Sequence, residues 1–285
     1  MLHRCPAART ATWLRTADAI AWLLPAAMTA VCVLTESPWV FLSSLCGTFV
    51  AISVPTMVLS AALHWFCCWH GKRIQGERKR PAPIGREVLE TLRCLYTVSC
   101  IAAWPVSRYR LGHATGITWE MHDLTTSWMG VIGHFVFGLA FADFWNYWKH
   151  RILHTRVLFA FHKNHHQFRD PTAFAGFAIH PVDAVLTFAP IWFMCVPTAK
   201  HWMPLYFTQV VFLSLVNLYL HCGVTFDWME RLIPLMLLNS SGYHNVHHEK
   251  VTANYGEVSF VWDYICGTDN EAQVRQRQQA RAKLN

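Results

Sequence analysis

"PWVFLSSLCGTFVAISVPTMVLSAALHWF", residues 38–66, runs for 29 residues without a single Asp, Glu, Lys or Arg. A helix of about 20 apolar residues crosses the hydrocarbon core of a bilayer, so this stretch predicts a membrane-spanning helix. The whole chain fits that setting, because 53% of its residues are hydrophobic and only 14% are charged. Soluble globular domains average about 25% charged residues, so the composition argues against a soluble protein.

Three further apolar runs, at about residues 18–34, 88–105 and 124–148, bring the number of predicted spans to four. The first run follows arginines and contains "AAMTA", so a cleaved signal peptide is its alternative interpretation. Two more apolar stretches, 182–196 and 203–220, are interrupted by Pro190, Pro197 and Pro204. The first stretch is short for a full crossing, and both must return His221 and His244 to the side of the earlier histidines, so they are predicted to form a helical hairpin that dips into the bilayer. The prolines are expected to break or kink its helices.

The loop between the second and third predicted spans carries the densest positive charge. Basic residues there and in the N-terminal tail are Lys72, Arg73, Arg78, Lys79, Arg80, Arg86, Arg4, Arg9 and Arg15. Positive loops stay cytoplasmic, so the segment after the fourth predicted span, which begins at Lys149, is also predicted to be cytosolic. The net charge of +7 arises in these flanks and indicates contact with lipid headgroups instead of nucleic acid.

Histidines recur in three short boxes after the fourth predicted span. They read "HRILH" at 150–154, "HKNHH" at 162–166 and "HNVHH" at 244–248. Residues three or four positions apart share a helix face, so each box is expected to aim two or three imidazoles at one point. Neutral imidazole is a common ligand of transition metals, and the boxes therefore predict a metal site. Six isolated histidines are interpreted as ordinary polar residues: His64, His70, His113, His122, His134 and His201.

The number and type of ligands narrow the choice of metal. Eight box histidines exceed the four ligands of one structural zinc, and no His-Glu-x-x-His motif is present. Residues 144–169 contain no Asp or Glu, which excludes the Glu-x-x-His ligands of soluble di-iron bundles. The sequence therefore predicts a pair of iron ions held almost entirely by histidine.

The three boxes resemble those of the fatty acid hydroxylase/sterol desaturase superfamily. The resemblance covers about residues 124–268 and includes "HPVD" at 180–183, "NYGEVSFVWDYICGT" at 254–268 and Asp143 before the first box. It implies that His221 is a ninth metal ligand and that His180 is a ligand or a support for one. Asp143, seven residues before His150 on the same helical face, is interpreted as a carboxylate that orients a ligating imidazole or as a simple interfacial charge. Asn245 is interpreted as a support for a ligand or as a helix-end residue. The implied catalytic metal ligands are His150, His154, His162, His165, His166, His244, His247 and His248.

The resemblance further implies an enzyme that uses O2 to hydroxylate or desaturate a membrane lipid, for which a sterol is the favoured substrate. A fatty-acyl lipid is the alternative, and alkane-forming, alkylglycerol-cleaving and carotenoid-hydroxylating activities stay open. The chain has no flavin fingerprint, haem-binding module or Cys-rich iron–sulfur motif, so electrons must come from an external donor. Cytochrome b5 with its reductase is the implied donor. An acidic carrier of this kind, or alternatively lipid, is expected to contact a basic face formed by Lys149, Arg151, Arg156, Lys163 and Arg169. Outside enzymes, a metal-binding membrane transporter or a bis-histidine haem protein is the competing hypothesis.

The expected architecture is an all-α integral membrane helical bundle of about four transmembrane helices with a cytosolic-facing helical catalytic region. Residues 1–123 are assigned to the N-terminal membrane helices and basic loop, 124–268 to the histidine-box catalytic domain, and 269–285 to a basic C-terminal tail. Such a protein is multi-pass, in the endoplasmic reticulum membrane of a eukaryote or the inner membrane of a bacterium.

Overall fold

The computed structural model describes residues 19–20, 22–35, 37–76 and 82–271. Most of the N-terminal tail, residues 77–81 and most of the basic C-terminal tail, which is expected to be a frayed helix, lie outside the described residues. The helices found are α1 Leu24–Thr35, α2 Pro38–His70, α3 Ile84–Arg110, α4 Trp128–Leu153, α5 Phe159–His162, α6 Pro181–Phe188, α7 Met203–Leu220, α8 Asp227–Leu232, α9 Ser241–Lys250 and α10 Val261–Cys266.

Strands are short and few in the described ranges. They are β1 Lys72–Arg73, β2 Ile117–Thr118, β3 His201–Trp202 and β4 Val224–Thr225. The strand β1 pairs antiparallel with β4, and β2 pairs parallel with β3. Because each strand has two residues, they tie loops together and form no sheet layer. The predicted all-α membrane bundle is therefore confirmed.

Three helices of the described chain are long and apolar enough to cross a membrane: α2, α4 and α7. This differs from the four predicted spans. The apolar run at 18–34 yields α1, whose 12 residues reach only about 18 Å at 1.5 Å per residue, well short of the hydrocarbon core. Conversely, Met203–Leu220, expected to be one arm of a shallow hairpin, has the length of a complete span.

The predicted third span forms the helix α3, but this helix is too polar to count among the candidate spans. It lies antiparallel to α2 and returns to the start of that helix, where Arg110 Nη1 donates to Ser43 Oγ at 2.7 Å. Its buried side includes polar side chains such as Thr91 and Ser99, which lower the hydropathy of the helix while they lie inside the bundle. The same side packs Val98 against Ile179 beside α6.

The three candidate spans all end at the same side of the molecule. The chain leaves α2 into β1 and leaves α7 toward β4, and these two strands pair through Lys72 and Thr225. The last turn of α4 carries His150, and His221 directly follows α7. Parallel spans need return segments, which are α3 and the stretch Pro181–Cys195. The parallel arrangement thus gathers the histidines at one end, called here the histidine end.

The return segment Pro181–Cys195 changes its helix type where a proline requires it. The helix α6 begins with Pro181 in its first turn and ends at Phe188, and a 3₁₀ helix follows from Ala189 to Cys195 with Pro190 near its start. Proline lacks the N–H that would continue an α-helix, so the expected break at Pro190 is present. Met194, near the end of this segment, accepts a hydrogen bond from Gly116 N–H at 2.8 Å.

Candidate metal centre

The first histidine box lies at the C-terminal end of α4. Ser127 caps the start of this helix by accepting a hydrogen bond from Gly130 N–H at 3.0 Å. His150 lies in the last turn, and His154 is the residue that follows the helix. One helical turn separates the two residues, so both rings project from the same face, and their Nε2 atoms lie 3.2 Å apart.

The second box does not lie on one helix, contrary to prediction. His162 ends the short helix α5, whereas His165 and His166 begin a separate 3₁₀ turn, His165–Gln167. The third box does lie on a single helix, α9, which Ser240 caps by accepting from Tyr243 N–H at 3.3 Å.

The nine box and "LHCG" histidines divide into two groups, each of which could hold one metal ion. Within each group the candidate ligand atoms lie within 4.8 Å of one another. Cluster I contains His150, His154, His162, His166 and His247, and cluster II contains His165, His221, His244 and His248. The second and third boxes contribute to both clusters, because adjacent residues such as His247 and His248 point about 100° apart on a helix. Each box was expected to address a single point.

The nitrogen spacing in the clusters fits metal coordination. In cluster I the pairs His154–His166 and His166–His247 have Nε2 atoms 3.2 Å apart. In cluster II the Nε2 of His221 lies 3.1 Å from that of His165 and 3.0 Å from that of His244. Two nitrogens bound to one ion at about 2.1 Å and at right angles would lie about 3.0 Å apart. The rings are therefore spaced as neighbouring ligands of one ion.

Hydrogen bonds at the far side of several rings leave the inward nitrogen available as a ligand. The Nδ1 of His150 contacts Tyr255 O at 2.8 Å, that of His221 contacts Asn217 O at 2.8 Å, and that of His247 contacts Ala253 O at 2.7 Å. A carbonyl oxygen only accepts, so each Nδ1 carries the proton and each Nε2 keeps its lone pair. Second partners of this kind orient ligating imidazoles in metal proteins.

Burial keeps these imidazoles neutral. Removal from water lowers the pKa of His221 to about 4 and that of His247 to about 3. It also places the pKa values of His165, His244 and His248 well below the usual range, and the neighbouring imidazoles lower them further. Because only neutral imidazole binds a metal, the cavity holds its histidines in the ligand form.

Three charged residues lie beside the clusters: Lys149, Asp183 and Glu257. No role is predicted from the sequence for either acid. Asp183 Oδ2 accepts from His162 Nδ1 at 2.7 Å, and Glu257 Oε1 lies 3.4 Å from His150 Nδ1. Lys149 Nζ donates to Glu257 Oε1 at 2.9 Å and lies 3.8 Å from Asp183 Oδ1. Burial disfavours ionisation of Asp183, but Lys149 and His162 outweigh it and lower the pKa of this carboxyl. The acids belong to the "HPVD" and "NYGE" motifs, which were the available signal.

Other expectations for residues around the metal site differ from the structure. The carboxylate of Asp143 accepts from Ser259 N–H at 2.9 Å and from its hydroxyl at 2.7 Å, so it anchors α4 to the loop before α10 and holds no imidazole. Asn245 Oδ1 accepts from Gln75 Nε2 at 3.2 Å.

His180 lies in neither cluster, and its Nδ1 caps α6 by accepting from Val182 N–H at 3.2 Å. Its position directly before a proline requires an extended backbone, which suits an N-cap residue.

A cavity of about 590 Å³ begins at the histidine end and runs between α4, the segment Pro181–Cys195 and α7. His162, His165 and His221 line it at that end, and Leu124 and Trp202 line it at the other. Aromatic and aliphatic side chains such as Phe141 and Leu213 form most of the wall. The arrangement places a long apolar chamber directly against both clusters.

The histidine region matches a known family, and several proteins have similar sequences. Residues 135–268 match the model of the family described as "Fatty acid hydroxylase". Lathosterol oxidase of Rattus norvegicus is 31% identical over 194 residues, which cover 65% of this chain and 60% of the rat protein. Delta(7)-sterol 5(6)-desaturase ERG3B of Gibberella zeae is 33% identical over 156 residues, 53% of this chain and 45% of that protein.

A third relative comes from a plant. Methylsterol monooxygenase 2-2 of Arabidopsis thaliana is 29% identical over 206 residues, 69% of this chain and 73% of the plant protein. The chain spans less than two thirds of the length of the lathosterol oxidase and the desaturase. No solved structure matches the chain. The segment matched by the family contains all nine clustered histidines. The histidine-bearing region of this chain, residues 135–268, therefore belongs to the fatty acid hydroxylase family.

Proposed function

We propose that this protein is a membrane-bound oxidoreductase that uses O2 and two iron ions to hydroxylate or desaturate a sterol. The observation that carries the proposal is the contact between the two histidine clusters and one end of a long apolar cavity. The activities for which three relatives are named, those of a lathosterol oxidase, a sterol desaturase and a methylsterol monooxygenase, support a sterol as the substrate class.

Two iron ions are proposed to bind to the nine histidines, one in cluster I and one in cluster II. Bound iron supplies the oxygen activation that an unactivated C–H bond requires. Iron is preferred over zinc because cluster I offers five imidazoles, more than a tetrahedral zinc shell takes. Asp183 and the carbonyl oxygens of Tyr255 and Ala253 orient three rings of cluster I from behind. The chain itself thus orients these three ligands before any metal enters.

The cavity wall is proposed to position one carbon of the substrate. Apolar side chains exclude water from the chamber and hold an apolar ring system or chain along α4 and α7. A carbon held at the histidine end is then presented at the cluster nitrogens, which is the positional contribution expected of the protein. A fatty-acyl lipid would also fill an apolar chamber and remains the alternative substrate.

Electrons are proposed to come from an external donor, cytochrome b5 in a eukaryote or another carrier protein in a bacterium. Arg156 and Arg169 are exposed beside the second box and offer positive charge to an acidic carrier. Lys149, also expected to contribute to that basic face, is buried and paired with Glu257 instead. We further propose that the histidine end faces the cytosol, in the endoplasmic reticulum or the bacterial inner membrane according to source.

The proposal is tested by expressing the chain in a sterol-producing host and analysing sterols and acyl lipids by mass spectrometry. Wild type is compared with His247→Ala, which removes a cluster I nitrogen, and with the matched control His122→Ala, an exposed histidine outside both clusters. A sterol with one added oxygen or two fewer hydrogens is expected with wild type and the control alone. A modified acyl lipid would replace the sterol proposal, and identical lipids in all three strains would contradict the oxidoreductase.

A further inference from the structure

Lys149 is a buried cation at the junction between the metal clusters and the cavity. The residue is 8% exposed, directly precedes His150 on α4, and lines the cavity together with His162, His165 and His221. One carboxylate oxygen, Oε1 of Glu257, lies 2.9 Å from Lys149 Nζ and 3.4 Å from His150 Nδ1. The ammonium group is therefore an immediate neighbour of cluster I.

The contacts of this ammonium do not use all of its donors. A lysine Nζ carries three N–H groups. Among the described residues, it makes one hydrogen bond, to Glu257, whereas Asp183 at 3.8 Å is an ion-pair partner beyond hydrogen-bond distance. Burying an ammonium is unfavourable unless its charge and its donors are satisfied. Glu257 and Asp183 balance the charge, but N–H groups remain available to the cavity.

Lys149 differs in charge from the side chains that line the cavity around it. The nearby wall combines apolar side chains such as Phe141 with uncharged amides such as Asn146. An oxygen atom on the substrate would gain a charge-assisted hydrogen bond at Lys149 that neither kind of side chain can offer. Since Glu257 Oε1 lies 2.9 Å from Lys149 Nζ and 3.4 Å from His150 Nδ1, a carbon presented to the cluster lies only a few bonds from that oxygen.

We propose that Lys149 is a substrate-positioning residue that donates a hydrogen bond to the hydroxyl group of a 3-hydroxysterol. This inference rests on the proposed function and deepens it, because it states which end of the sterol meets the metals. The relative from Gibberella zeae is named a sterol 5(6)-desaturase, and carbon 5 of a sterol is two carbons from carbon 3, which bears the hydroxyl. Oxidation at such a position would bring the first ring to the clusters. The remaining rings and side chain then extend along α4 and α7 toward Trp202. A fatty-acyl chain oxidised at mid-chain has no oxygen at that distance.

The test compares a 3-hydroxysterol substrate with its 3-deoxy analogue, using purified iron-loaded protein and a chemical or protein electron donor. Wild type is expected to prefer the hydroxylated substrate in kcat/KM by about tenfold or more, the value of one hydrogen bond to a charged group. In Lys149→Met the ratio is expected to fall to about one, while the iron content stays at the wild-type value. The matched control is Lys200→Met, which alters the cavity lysine whose Nζ donates to Thr115 O at 3.5 Å, and it should keep the wild-type ratio.

A second variant covers the case in which a methionine at position 149, between two carboxylates, prevents folding. Lys149→Met with Glu257→Gln removes the ion pair as a unit, and the same ratio is measured. A ratio near one in wild type, or an unchanged ratio in either iron-loaded variant, would overturn the role of Lys149. Equal losses for both substrates together with loss of iron would assign Lys149 to site structure alone. Absence of turnover of either sterol by wild type would instead reject the proposed function on which the inference rests.

Discussion

The two histidine clusters differ in what holds their rings from behind. In cluster I, His162 donates to the carboxylate of Asp183, and His150 has Glu257 3.4 Å from its Nδ1. In cluster II the Nδ1 of His221 donates to a backbone carbonyl, and no ring of this cluster has a carboxylate partner among the described residues. A carboxylate partner makes an imidazole a stronger ligand, so cluster I should bind its ion more tightly.

The largest effect is expected from loss of one ligand in either cluster. His247→Ala reduces cluster I and His244→Ala reduces cluster II, so each should lower bound iron by about one ion per chain. Turnover should fall more than 100-fold, since even the outer partners of metal ligands typically account for about 10- to 100-fold. Metal analysis and product assays provide the measurement, with His122→Ala as the control. Wild-type iron content in either cluster variant would contradict the ligand assignment.

The next largest effect distinguishes two aspartates that contact different partners. Asp183→Asn keeps the shape beside His162 but removes the negative charge, so iron affinity at cluster I should fall by about 10- to 100-fold. Asp143→Asn removes the same charge from a contact with Ser259 and should lower the melting temperature while iron affinity is retained. Iron affinities are measured by competition with a chelator. Equal iron loss in both variants would remove the distinction between the two aspartates.

The pH dependence of the metal-free protein is expected to be intermediate in size. In the folded chain the pKa values of His221 and His247 are lowered to about 4 and about 3. Below about pH 6.5 these histidines therefore bind protons in the unfolded chain but stay neutral in the folded chain. Folding becomes less favourable as the pH falls. Each such histidine contributes about 1.4 kcal/mol per pH unit until its folded pKa is reached.

Thermal denaturation of chelator-treated protein from pH 7.5 to 5.5 measures this effect. The melting temperature should decline steeply in wild type and in His122→Ala, and less steeply in His247→Gln, which has one buried histidine fewer. A melting temperature that stays constant across this range would contradict the burial-driven pKa shifts.

The smallest effect concerns His180, which lies outside both clusters. His180→Ala removes the acceptor for Val182 N–H at the start of α6 and should cost about 1 kcal/mol of folding free energy. His180→Asn should restore most of this loss because Asn is a good N-cap residue. Neither change should alter iron content. Iron loss in the Asn variant would instead make His180 a metal ligand.

Features of the structure that depend on neighbouring residues in the chain could be predicted from the sequence. The helix α2 is predicted correctly from the length and apolar composition of its sequence alone. The spacing of the histidines within the boxes correctly predicts that they lie close together. The allocation of His165 and His166 to different clusters depends on the direction of each ring, which changes between neighbouring residues and at the break after α5.

The features that sequence reasoning missed depend on partners far along the chain. From the sequence alone Lys149 is expected to be a surface cation. In the structure its Nζ donates to Glu257, which lies 108 residues later in the chain. The carboxylate that supports His162 is Asp183, because the return of α6 brings it there, whereas Asp143 meets Ser259. Likewise, the sequence of α3 predicts a membrane span, but the polar side of this helix is buried against the surrounding helices.

The assembly of cluster I has a consequence for biosynthesis. Its His166 and His247 have Nε2 atoms 3.2 Å apart but lie 81 residues apart in sequence. A ribosome adds about 5–20 residues per second, so the first two boxes exist for several seconds before the third is made. During that interval neither cluster has its full set of rings. Under the proposed function, metal loading can therefore be complete only after α9 has emerged and docked.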